Sequence, residues 1–249
     1  MELFEQAKEI VLEAGRELLD RKGAMDIQEK SETDFVTAVD LRVQSMIFER
    51  LLKLDPSVQL MGEEKDNRNV DPDGRIWILD PVDGTTNFIH DFHHSVISLA
   101  YVERRETMYG IVYSPYSGEV FEAWKGKGAW CSGKRMNVSK KSALAQCLIS
   151  TGTAPARRDR SEATFLRMKR IFDRCQDIRR IGSGALELCY VACGRLDGFY
   201  EEVLKPWDYA AGQLMIREAG GIAEVMGEGF LAGTPGIMEE LRQTLDDVR

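Results

Sequence analysis

The stretch that most constrains this chain runs from Trp77 to Phe88: Trp-Ile-Leu-Asp-Pro-Val-Asp-Gly-Thr-Thr-Asn-Phe. A β-prone apolar run stops at Asp80. Pro81 biases the residue before it away from helical angles, so the strand persists to Asp80. The chain then turns, and Asp83 can return to the crevice outside the strand end. Gly84 lets a ligand approach the backbone closely. Thr85 and Thr86 suit a helix entry, whose free N–H groups attract anions. Carboxylates bind hard cations such as magnesium, and the Val82 carbonyl can face the same ion. The segment therefore points to metal-assisted phosphate chemistry, although Asp-Pro-x-Asp-Gly alone also describes an ordinary turn.

Around this segment the periodicities alternate. Apolar residues at Leu3, Ala7, Ile10, Val11, Ala14 and Leu18 predict a helix over 2–22, with Gly23 as a stop. Thr37 is placed as the N-cap of a helix from Ala38 to Leu54, ended by Asp55-Pro56. Strands are predicted at 58–61, 76–80, 95–103, 107–114 and 119–124, the later ones joined by short turns in an antiparallel pattern. After about residue 145 strands at 147–151, 177–181, 196–202 and 222–226 alternate with helices at 161–175, 184–193, 207–219 and 235–245. That alternation predicts an α/β half. The expectation is one domain over 1–249, built of halves at about 1–144 and 145–249.

The 249 residues carry a formal net charge of −8, which argues against a nucleic-acid partner. No apolar run reaches the roughly 18 residues of a membrane span. The acidic N-terminus lacks a signal-peptide core, so a cytoplasmic location is expected. Five cysteines without CxxC spacing read as reduced thiols. Cys189 and Cys193, at i,i+4, are a metal pair or, more simply, core packing.

Other groups are ambiguous alone. Glu63 in Gly62-Glu63-Glu64 reads as a solvated acid or a ligand. Asp208, after Lys205-Pro206-Trp207, suits a helix start or a metal. His90, His93 and His94 fill a loop, a subunit contact or a transition-metal site. Arg157-Arg158-Asp159-Arg160 and Arg179-Arg180 read as solvated surface, with Arg157 or its neighbours also suited to a second substrate phosphate.

Taken jointly, Glu63, the Asp80–Phe88 run, Asp208 with Ala210-Ala211-Gly212, Glu218-Ala219-Gly220-Gly221, and the early Lys30…Asp34…Thr37-Ala38-Val39-Asp40 segment resemble the inositol monophosphatase family. The resemblance covers nearly the whole chain. It implies a layered αβαβα sandwich of the inositol monophosphatase/fructose-1,6-bisphosphatase type, and a Mg²⁺-dependent, lithium-sensitive phosphomonoesterase that forms a homodimer. It also implies two to three ions per site. Glu63, Asp80 and the Val82 carbonyl would hold one; Asp80, Asp83 and Asp208 a second; a third would sit near Glu63. Thr85, bonded to Asp40, would orient or deprotonate the attacking water, and Gly84 and Thr85 would cradle the phosphate. Asp83, Glu201, Gly184 and Thr153 would meet the polyol. The rival readings are a phosphatase for fructose 1,6-bisphosphate, 3′-phosphoadenosine 5′-phosphate or histidinol phosphate, and a non-catalytic regulatory partner that keeps the fold.

Overall fold

A computed structural model describes residues 2–20, 26–31 and 34–246. The Gly23 helix stop and the side chains of Lys30 and Asp34 lie outside the described residues. In chain order the elements are α1 (Glu2–Asp20), β1 (Ile27–Ser31), β2 (Asp34–Thr37), α2 (Ala38–Leu54), β3 (Gln59–Gly62), β4 (Arg75–Asp83) and α3 (Thr85–Ile89). Then follow β5 (Val96–Glu103), β6 (Glu106–Ser114), β7 (Glu119–Trp124), β8 (Gly128–Cys131), β9 (Lys134–Arg135) and β10 (Leu148–Thr151). The chain closes with α4 (Ser161–Phe172), β11 (Asp177–Arg179), α5 (Gly184–Ala192), β12 (Gly198–Glu201), α6 (Pro206–Glu218), β13 (Ile222–Met226), β14 (Gly229–Gly233) and α7 (Met238–Asp246).

The fold is a five-layer αβαβα sandwich. A seven-stranded sheet runs β3-β4-β5-β6-β7-β8-β9, and a five-stranded sheet runs β11-β10-β12-β14-β13. On one face of the larger sheet Trp77, Leu79, Ile97, Leu99, Tyr109 and Ile111 pack against α1 and α2. On its other face Ile76, Ile78, Ala100, Val112 and Phe121 meet α5 and α6, whose far side covers Phe199, Phe230 and Ala232 of the smaller sheet. The outer face of the smaller sheet packs Ile149, Tyr200 and Leu231 against Ile171 of α4 and Leu241 of α7. Both faces of β4 are covered, which is why Ile76–Leu79 is continuously apolar rather than alternating. Trp77 is fully buried, and burial of this kind contributes on the order of 2–3 kcal/mol per large side chain.

Thr37 caps α2 as expected: its Oγ1 accepts from Val39 N at 3.2 Å. Three features go beyond the sequence expectations. Residues 27–37, assigned to no element from the sequence, contain the hairpin β1–β2, whose pairing supplies what its polar composition does not. The sheet of the second half is mixed: β10 pairs parallel with β11 and β12, and β14 pairs antiparallel with both β12 and β13. β14 reads Gly-Phe-Leu-Ala-Gly, without β-branched residues, so propensity hid it. β4 also runs three residues past Asp80. Among the described residues no helix is long and apolar enough to cross a membrane.

Candidate active site

The site lies at the C-terminal ends of β3 and β4. β3 is parallel to β4 and ends at Gly62, opposite Leu79, so Glu63 follows directly beside Asp80. Glu63 N donates to Leu79 O at 3.2 Å. The next residue is clamped by α2: Gln44 Nε2 donates to Glu64 O, and Glu64 N donates to Gln44 Oε1.

In a regular strand, residues 80 and 83 would point to opposite faces. They do not here, because β4 carries a bulge. Asp80 stands opposite Ser98 and Asp83 opposite Val96, three steps against two. The extra residue turns Asp83 back to the side that Asp80 faces. Asp80 Oδ1 accepts from Val82 N at 3.0 Å.

Asp208 enters from α6. Its Oδ2 accepts from Lys205 N at 2.7 Å, which closes the first turn of that helix. Ser98 Oγ on β5 donates to Trp207 O and ties this helix start to the larger sheet. The outcome is that Asp80, Asp83 and Asp208 each offer a carboxylate oxygen within 4.8 Å of the others. This is the one such group of metal-ligating side chains among the described residues.

The three acids repel. Burial first, and then Glu63, Asp83 and Asp208, push Asp80 well above the usual carboxylate range. Burial and Asp83 do the same to Asp208. Burial also raises Asp83, against the opposing effect of donors at the start of α5. Those donors are Ser183 Oγ at 2.6 Å and Ala185 N at 2.7 Å, both to Asp83 Oδ2. An all-oxygen trio whose charge is uncompensated fits a hard divalent cation, which would reverse the cost of ionisation.

Gly84 takes φ +90°, and a Cβ there would lie 2.9 Å from His94 O, so both the angle and the close approach require glycine. It precedes α3, which begins at Thr85 as expected and has no side-chain cap. Thr85 Oγ1 instead reaches back to Val82 O at 3.1 Å and Asp40 Oδ1 at 3.2 Å. Burial raises Asp40, offset by hydrogen bonds from Thr37 and Thr85.

Glu63, Asp80, Asp83, Gly84, Thr85 and Asp208 line a cavity of about 780 Å³, together with Gly152, Ala154, Arg157, Arg180, Gly184, Glu187 and Glu201. The family model described as the inositol monophosphatase family matches residues 1–247. The chain belongs to this family. It is 36% identical over 234 residues to Nus factor SuhB of Salmonella typhimurium, covering 90% of this chain and 87% of that one. It is 36% identical over 214 residues to inositol-1-monophosphatase of Rhizobium meliloti, covering 85% and 80%. The crystal structure of extragenic suppressor protein suhB from Bartonella henselae superposes with a TM-score of 0.91 at 31% identity, covering 98% of each chain.

In the same cavity, Glu201 Oε1 accepts from Ala154 N at 3.2 Å. Burial and the neighbouring Glu187 push Glu201 up to about 8. Gly184 lines the cavity with room for a Cβ, the nearest atom being Leu204 Cδ2 at 3.4 Å. Thr153 is not part of the lining, and its hydroxyl accepts from Arg180 Nη2 at 3.0 Å.

Two lining groups escaped sequence reasoning. Glu187 lies within an apolar helical run and looks like one solvated position. In the fold it is buried, its Oε1 accepts from Ser150 Oγ at 2.5 Å and Ile181 N at 2.9 Å, and burial pushes it up to about 7. From sequence the Arg179-Arg180 pair reads as solvated surface, yet Arg180 lines the cavity. The only available signal was Gly182-Ser183-Gly184, which begins two residues after it. Of the remaining candidates, His93 stacks on Tyr116 and contacts Asp91. Cys189 is buried with its thiol against Met215 Sδ, and Cys193 donates to Tyr190 O, which is core packing.

Proposed function

We propose that this protein is a Mg²⁺-dependent phosphomonoesterase that hydrolyses inositol monophosphate to inositol and phosphate. The observation that carries this reading is the convergence of Asp80, Asp83 and Asp208 within 4.8 Å, beside the Asp40–Thr85 pair. Phosphate-monoester hydrolysis needs a barrier reduction of well over ~20 kcal/mol. Mg²⁺, when bound, supplies Lewis acidity, a lowered water pKa and a counter-charge for the leaving alkoxide.

Glu63, Asp80 and the Val82 carbonyl would hold one ion, and Asp80, Asp83 and Asp208 a second, with a third near Glu63. Asp83 suits this because Ser183 Oγ and Ala185 N both donate to its Oδ2, and Oδ1 would be the oxygen offered to the cation. Thr85 has one proton and two acceptors in reach. With the Val82 carbonyl engaged elsewhere, that proton goes to Asp40, and the hydroxyl oxygen accepts from the attacking water. Gly84 and Thr85 cradle the phosphate with their N–H groups. Glu201, Asp83 and the Gly184 backbone receive the polyol hydroxyls. Attack is in line, without a phosphoenzyme. Lithium sensitivity, a homodimer and a cytoplasmic location belong to the same proposal.

The test is phosphate release from a panel with and without Mg²⁺: both inositol 1-phosphate enantiomers, fructose 1,6-bisphosphate, 3′-phosphoadenosine 5′-phosphate and histidinol phosphate. The expected result is Mg²⁺-dependent release, fastest from an inositol phosphate and abolished by a chelator. No release from any ester at saturating Mg²⁺ sinks the proposal. The name Nus factor on the Salmonella relative favours a second reading, a regulatory protein that binds a partner through the same fold. An Asp83→Asn variant that keeps partner binding, with a wild type inactive on every ester, would support that reading instead.

A further inference from the structure

The basic pair Arg179-Arg180 is split by the fold. Arg179 turns outward to Asp177. Arg180 turns in and lines the cavity beside Glu187 and Glu201. Its path crosses Gly182, where a Cβ would stand 2.1 Å from Arg180 Nη1 and where φ is +89°. No other residue type leaves this route open.

The far end of Arg180 grips one particular segment. Nη2 donates to Thr153 Oγ1 at 3.0 Å. Thr153 sits between the two residues that seat Glu201. On one side is Gly152, where a Cβ would fall 1.9 Å from the Glu201 carboxyl carbon. On the other is Ala154, whose N–H donates to Glu201 Oε1. Ala154 takes φ +41°, a left-handed angle costly for a residue with a Cβ, so the segment needs an outside contact to keep its shape. The guanidinium also lies near enough to Glu187 and Glu201 to favour the charged form of both.

We propose that Arg180 is a specificity-determining positioning residue: its fork holds the 152–154 segment around Glu201 and so shapes the part of the cavity that receives the alcohol half of the substrate. This rests on the polyol-phosphate reading above. Arg180 is exposed and contributes nothing to the core clusters, so its loss leaves the fold intact. A lysine keeps the charge but not the planar fork.

The experiment compares wild type, Arg180→Ala and Arg180→Lys on two esters with Mg²⁺: inositol 1-phosphate and p-nitrophenyl phosphate, whose alcohol part has no further hydroxyl. Arg180→Ala is expected to raise KM for inositol 1-phosphate about tenfold with kcat within about twofold, and to leave both constants for p-nitrophenyl phosphate within about twofold. Arg180→Lys should stay nearer to alanine than to wild type. Equal losses on the two esters, no loss on either, or full recovery with lysine overturns the assignment. A changed elution volume in place of a KM effect assigns Arg180 to a subunit contact and also overturns it. Wild type inactive on both esters sinks the hydrolase reading itself, and this inference with it. A wild type active on both, with variants that do not discriminate, sinks only the role of Arg180.

Discussion

Asp40 and Thr85, 45 residues apart in the chain, stand 3.2 Å from each other, Oδ1 to Oγ1. The other oxygen of the same carboxylate has a different duty. Asp40 Oδ2 accepts from Thr37 N at 2.9 Å and Thr37 Oγ1 at 2.5 Å, which completes the capping box of α2. One side chain therefore starts a helix and orients the hydroxyl proposed to handle the attacking water.

That double duty can be separated by mutation. Thr85→Val removes the hydroxyl and leaves the helix cap untouched, so kcat should fall by about 100-fold or more with an unchanged denaturation midpoint. Asp40→Asn retains one acceptor oxygen and cannot serve both partners. It should lose activity and also about 1 kcal/mol of stability. Steady-state kinetics and urea unfolding of both variants check this; equal stability losses would contradict the division.

The acid trio makes a second prediction. Asp83→Asn or Asp208→Asn should reduce turnover by at least ~100-fold at saturating Mg²⁺, because a missing metal ligand removes several kcal/mol of transition-state stabilisation. In the metal-free protein the same changes relieve repulsion with Asp80. Thermal midpoints without Mg²⁺ should therefore hold or rise, while the stabilisation that Mg²⁺ adds should shrink. Unchanged kcat would count against these residues as ligands.

Two glycines at the alcohol end should behave oppositely. Gly152→Ala places a methyl 1.9 Å from the Glu201 carboxyl carbon and must displace that side chain. Gly184→Ala meets only Leu204 at 3.4 Å, an ordinary contact. The first should raise KM for a polyol phosphate by about tenfold and the second leave it within about twofold. Kinetics on inositol 1-phosphate distinguish them, and a tolerated Gly152→Ala would remove Glu201 from the substrate.

The pH dependence of stability should reveal Glu187. Its ordinary value is 4.5, and burial pushes it up to about 7 in the folded chain. Below pH 4.5 the group is protonated in both states and contributes nothing. As pH rises from 4.5 to 7 the unfolded chain ionises first, so the folded state loses stability, and above 7 the cost levels off. Glu187→Gln keeps an acceptor for Ser150 and Ile181 and removes this titration. Relative to wild type it should gain stability across that window and be flat outside it. Chemical denaturation at pH 4, 6 and 8 measures this, and a pH-independent difference would refute it.

Local rules carried much of the architecture. Thr37 as an N-cap, α2 ending before Asp55-Pro56, and β7 at 119–124 follow from capping chemistry, proline stereochemistry and residue periodicity, all of which act within a few residues. The acids Glu63, Asp80, Asp83 and Asp208 could be named from their motifs. The tertiary structure alone decided that three of them converge, because the bulge after Asp80 and the docking of Trp207 on Ser98 depend on β5, a partner distant in sequence. It alone buried Glu187 inside a helix, hid a glycine-bounded strand in the second sheet, and set Arg180 at the cavity while Arg179 pairs with Asp177. Propensity and periodicity report how a residue suits its own segment; the direction of a side chain and the charge it meets are set by long-range packing, which no local window contains.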